Sequence, residues 1–123
     1  MTYTRKKRRG ADSGFHRLAV DFDGVLMDRG TFGGAFDPAI CLGRPIDGAA
    51  EALEELARRF ELVVFSSRVR TPEGRAAVER WLEAHNLAGL FADITADKIN
   101  ALAYIDDRAV RFETWAAVVK EFG

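Results

Sequence analysis

From Arg17 the chain reads Leu-Ala-Val-Asp-Phe-Asp, a short β-prone apolar run that breaks at Gly24, and this pattern predicts a buried strand over 17–22. Residues 29–46 then carry Gly30, Gly33, Gly34, Gly43, Pro38 and Pro45, a loop or hairpin composition too short for an inserted domain. Asp47 is a candidate cap for a helix over 48–59, in which Ala49, Leu53, Leu56 and Phe60 recur at helical spacing. A second strand follows over 61–65. Thr71-Pro72-Glu73 is a helix start, because proline in the first turn gives up an N–H that has no intrahelical partner anyway. Val78, Trp81, Leu82 and His85 share one face of that helix, and Asn86 ends it. Short third and fourth strands are predicted over 92–95 and 101–105, and a last helix, with Thr114 as its cap, runs to about Glu121. Strands alternating with helices imply right-handed crossovers and an α/β class: three layers around a mostly parallel sheet covered on both faces.

Composition narrows this to one domain. The chain has 123 residues, 48% of them hydrophobic, which suits a single core over 15–123. Five of its 18 basic residues, Arg5, Lys6, Lys7, Arg8 and Arg9, fall in residues 1–14, a basic arm expected to be disordered. Such an arm can pair with the phosphates of nucleic acid or simply remain solvated. The lone Cys41 allows no intramolecular disulfide, and no Cys/His cluster offers a zinc site, so a reducing cytoplasm is the expected setting. No stretch approaches the ~20 apolar residues that a membrane span needs, and neither secretion nor membrane insertion is expected.

In open parallel sheets the ligand crevice lies beyond the carboxyl ends of the strands. The polar residues that follow the predicted strands are Asp21 and Asp23, Ser66 and Ser67, and Asp106 and Asp107, while Lys98 precedes the fourth strand and can reach the same edge. This set suits phosphoryl transfer. Mg2+ takes hard oxygen ligands, commonly one or two carboxylates plus substrate phosphate, which Asp21 and Asp106 can provide. Asp21 is the candidate nucleophile and Asp23 the proton shuttle, provided the chain bends after Phe22 so that both face the substrate. Ser66 would donate to a phosphoryl oxygen and Lys98 would neutralise its charge.

The string Val20-Asp21-Phe22-Asp23-Gly24-Val25-Leu26-Met27-Asp28 resembles the first motif of the haloacid dehalogenase-like phosphatases. Leu62-Val63-Val64-Phe65-Ser66 resembles the second motif, Lys98 the third and Tyr104-Ile105-Asp106-Asp107 the fourth, in the family's order. The resemblance covers roughly residues 17–123 and departs at Val25, where threonine is common. It implies a Rossmann-like fold without a cap domain and a phosphatase that passes through an aspartyl phosphate on Asp21. It also implies Mg2+ held by Asp21, the Asp23 carbonyl and Asp106, with Asp107 beside them or bound through water. Without a cap the site is expected to be open, suiting a phosphate on a nucleic-acid end or another large substrate, or closed by a second subunit in a homo-oligomer.

Simpler readings compete residue by residue. A strand-end serine such as Ser66 often just satisfies backbone groups, and Ser67 beside it makes the hydroxyl assignment ambiguous. Asp28 can brace its loop, His85 packs beside Trp81, His16 is a surface residue, and Cys41 has no evident base. Arg68 and Arg108 can bind substrate phosphate or pair with nearby carboxylates. A signalling receiver domain has similar groups in another order: its phosphorylated aspartate follows the third strand, whereas Asp93 here falls inside or before that run. A non-catalytic phosphate or nucleic-acid binding module on the same fold is the remaining alternative.

Overall fold

The computed structural model describes residues 14–30 and 37–123. The basic run Arg5 to Arg9 and the glycines Gly33 and Gly34 lie outside the described residues. Four strands, β1 (Arg17–Asp21), β2 (Glu61–Phe65), β3 (Asp93–Thr95) and β4 (Ala103–Ile105), form one all-parallel sheet in the order β3-β2-β1-β4. Val20 lies between Val64 and Ile105, so the two strands that carry the acidic pairs are neighbours and end at the same edge.

Period-two alternation sorts the sheet into two faces. Leu18, Val20, Leu62 and Val64 point to one side, where they form the core with Leu53 of α1 (Ala49–Ala57) and Val78, Trp81 and Leu82 of α2 (Pro72–Ala84). On the other side Phe65 meets Tyr104 edge to face, with ring centroids 5.2 Å apart. The Tyr104 hydroxyl accepts from the Ile99 N–H at 2.7 Å and donates to the Ile99 carbonyl at 2.5 Å, laying the β3–β4 connection over that face. The chain is therefore a Rossmann-like α/β sandwich, and no cap domain interrupts it among the described residues.

Helix entry follows local chemistry. Thr71 accepts from the Gly74 N–H at 3.0 Å and Pro72 stands in the first turn of α2, as the sequence predicts. The expected Asp47 cap is corrected: α1 begins from Gly48, whose φ of 84° is left-handed, with no side-chain cap bond. The Ala49 N–H instead donates to the Ile46 carbonyl at 3.0 Å, so that donor is already satisfied. Thr114 caps α3 (Trp115–Phe122) by accepting from the Ala117 N–H, yet no residue of this helix is buried and Trp115 and Phe122 stay about 70% exposed. No described helix is long and apolar enough to cross a membrane.

β1 stops at Asp21 because the chain turns at once. The Phe22 carbonyl accepts from the Leu26 and Met27 N–H groups at 2.9 Å each, and Gly24, at φ 80°, donates its N–H to the Met27 carbonyl. Residues 26–28 then run beside 44–46, with Asp28 N–H to Arg44 carbonyl at 2.7 Å and Ile46 N–H to Leu26 carbonyl at 2.9 Å. The buried Trp81 indole donates to the Gly43 carbonyl at 2.8 Å and fixes this loop to α2.

Candidate functional site

The turn after β1 bends the chain after Phe22, and it leaves Asp21, but not Asp23, with the acids that follow β4. Oxygens of Asp21, Asp106 and Asp107 lie within 4.8 Å of one another at the carboxyl ends of β1 and β4. The Phe22 N–H donates to Asp21 Oδ1 at 2.7 Å, and the Arg108 N–H donates to Asp106 Oδ1 at 2.7 Å, so the backbone orients two of the three carboxylates. Burial pushes the Asp21 carboxyl up. The Phe22 N–H pulls it down, and the charges of Asp106, Asp23 and Asp107 push it up further, leaving it above its ordinary value. A hard cation suits such a donor set, because three convergent carboxylate oxygens concentrate negative charge at one edge.

Asp23 points elsewhere. Its Oδ2 accepts from Arg68 Nε and its Oδ1 from Arg68 Nη2, both at 2.8 Å, a bidentate fork on a guanidinium only 5% exposed. Arg68 Nη1 donates to the carbonyls of Asp37, Pro38 and Ile40 at 3.0–3.1 Å. Burial alone disfavours the cation, but the Asp23 hydrogen bonds and charge outweigh it and hold Arg68 above its ordinary pKa. Of the two roles that the sequence leaves open for Arg68, the structure displays pairing with a carboxylate.

Ser66 is buried, and its hydroxyl accepts from the Arg68 N–H at 3.2 Å, starting a 3-10 turn over Ser67–Arg70. Ser67 is exposed. The Lys98 ammonium sits 5.7 Å from the Tyr104 ring centroid, and among the described residues it makes no hydrogen bond to the acids. Arg108 is exposed, with only its backbone engaged at Asp106. Asp28 Oδ1 accepts from the Gly30 N–H at 2.9 Å and braces the loop, while His85 packs against Trp81 with centroids 4.5 Å apart and ring planes tilted by 52°. Burial pushes the Cys41 thiol up, and nearby Arg68 partly offsets that. Asp93 begins β3, at the amino end of that strand and away from the acidic edge.

Sequence reasoning passed over Arg29. Its Nη2 donates to the Asp23 carbonyl at 3.2 Å and to both oxygens of Asp107 at 3.1 Å. A basic residue right after the first acidic motif was the available signal, but only the turn that brings residue 29 back over residue 23 gives it meaning. Asp106 and Asp107 are exposed and Asp21 is half-buried, while a separate concavity of 570 Å³ along α2 and β3 is lined by Arg75, Glu79, Phe91 and Ile94.

No protein-family model and no curated protein matches the chain. A solved structure does. It is a conserved protein from Bacteroides thetaiotaomicron, similar with a TM-score of 0.57 and 26% identity over 87% of this chain and 91% of that one. The shared feature is the α/β fold across most of both chains.

Proposed function

We propose that the protein is a Mg2+-dependent phosphomonoester hydrolase with Asp21 as nucleophile. The observation that carries this reading is the convergence of Asp21, Asp106 and Asp107 oxygens within 4.8 Å at one sheet edge, with Asp23 two residues beyond Asp21. The resemblance of the four motifs to haloacid dehalogenase-like phosphatases points the same way. Asp21, Asp106 and Asp107 are the carboxylates that would hold the cation, whose chemistry is to offset charge between substrate phosphate and these acids.

Phe22 orients Asp21 through Oδ1, leaving Oδ2 without a protein donor among the described residues. A carboxylate oxygen of Asp21 attacks phosphorus, the P–O bond to the leaving group breaks, and an aspartyl phosphate forms. Asp23 delivers a proton to the leaving oxygen and then takes one from the water that attacks the phosphorus of the intermediate, releasing phosphate and restoring Asp21. This role requires one Asp23 oxygen to leave the Arg68 fork and to carry a proton before the first step begins. The Ser66 hydroxyl hydrogen is a candidate donor to a phosphoryl oxygen, and Lys98 contributes only by swinging off Tyr104. Exposed acids on an uncapped edge suit a phosphate on a large molecule, and the basic run Arg5 to Arg9 favours a nucleic-acid end or nucleotide.

The test is Mg2+-dependent phosphate release from p-nitrophenyl phosphate and from 5′- and 3′-phosphorylated oligonucleotides, in the wild type and in Asp21→Asn. The reading expects activity that EDTA abolishes and that the substitution lowers by at least about a thousandfold. Salt-dependent binding of the oligonucleotides without phosphate release would instead establish the binding module.

A further inference from the structure

Arg29 touches the acidic site at two of the groups expected to face a cation. One nitrogen, Nη2, donates to the Asp23 carbonyl at 3.2 Å and to Asp107 Oδ1 and Oδ2 at 3.1 Å each. The contact is confined by the turn: a Cβ built on Gly24 would lie 2.3 Å from Asp107 Oδ2 and 2.6 Å from Arg29 Nε. Glycine at residue 24 therefore leaves the room in which this guanidinium meets Asp107.

We propose that Arg29 is the built-in countercation of the acidic cluster, so that a divalent cation and the Arg29 guanidinium compete for the Asp23 carbonyl and the Asp107 carboxylate. The inference rests on the metal-dependent reading of the site given above. An oxygen lone pair directed at an N–H is not available to a metal, and two cations sharing one carboxylate repel each other. The ion and the guanidinium therefore oppose each other at these groups, and binding of the ion favours an outward turn of Arg29. The released guanidinium, still tethered one residue past Asp28, is then placed to pair with a substrate phosphate.

The competition is half-exposed, with the Arg29 and Asp107 side chains 38% and 33% accessible, so its size is that of a solvent-screened charge-assisted bond. Removing Arg29 should tighten cation binding by roughly five- to tenfold. Loss of any nearby positive charge also favours a cation, and Arg108 controls for this, being exposed and adjacent to Asp107 with its side chain in no hydrogen bond to the acids among the described residues.

The experiment is calorimetric titration of Mg2+, and of Mn2+ followed by paramagnetic resonance, into metal-stripped wild type, Arg29→Met and Arg108→Met, with folding checked by circular dichroism. The expected result is tighter binding in Arg29→Met alone, with Arg108→Met within about twofold of wild type. Equal or weaker affinity in Arg29→Met overturns the competition, and so does an equal gain in both variants, which would be long-range charge alone. A variant that fails to fold is replaced by Arg29→Gln, for which a smaller gain of the same sign is expected and no gain overturns the proposal. If no protein binds either ion at millimolar concentration, the metal-dependent reading itself fails, and the competition with it.

Discussion

Arg68 grips Asp23 through two hydrogen bonds of 2.8 Å, and the same guanidinium reaches the carbonyls of Asp37, Pro38 and Ile40. One buried cation thus ties the second aspartate of the first motif to the segment that crosses above it. A neutral side chain at residue 68 would leave the Asp23 carboxylate and three carbonyls short of donors at once. Arg68→Met should lose about 3–5 kcal/mol of stability in urea unfolding. Asp23→Asn, which keeps one acceptor for Arg68, should lose less, and the double variant should lose clearly less than the two single losses combined. Additive losses would mean that the pair is not coupled.

Asp21 should carry a stability cost that depends on pH. Its folded-state pKa lies above the ordinary 3.8, so below 3.8 both states hold the proton and the carboxyl costs nothing. As pH rises through the folded value, the unfolded chain gives up its proton more readily, and stability is lost. Asp21→Asn keeps the Phe22 hydrogen bond without that charge. In EDTA it should melt higher than wild type at pH 7, with the difference closing as the pH falls below the ordinary carboxyl value. A lower melting temperature at pH 7 would contradict the assigned environment.

Gly24 should tolerate no side chain. A Cβ there would lie 2.3 Å from Asp107 Oδ2 on a backbone at φ 80°. Gly24→Ala should cost about 1 kcal/mol or more from the backbone alone and displace Asp107. In an Arg29→Met background, where the Arg29 contact is already gone, weaker Mg2+ binding in calorimetry is the expected consequence, and unchanged affinity there would remove Asp107 from the cation site.

Much of the scaffold is legible because it rests on local rules. β2 spans the residues that its apolar run marks, and Thr71 and Pro72 start α2 through chemistry contained in three consecutive residues. Parallel strands then force Asp21 and the Asp106–Asp107 pair to one edge. What stays hidden depends on tertiary placement. The Asp47 cap is displaced by the left-handed entry at Gly48, where the Ile46 carbonyl takes the first donor. The partners of Arg68 come from residues 28 to 45 positions away, and Arg29 acts only after the 22–28 turn closes. α3 starts at its expected cap, yet Trp115, Val119 and Phe122 stay exposed.

In the proposed reaction Asp21 carries the phosphoryl group. Acid quenching within the first turnover of a 32P-labelled substrate in Mg2+, followed by peptide mapping, tests it directly. The account predicts an acid-stable, hydroxylamine-sensitive label on the peptide containing Asp21, absent in Asp21→Asn. Phosphate release with no label on the protein, or with label on another residue, would contradict it.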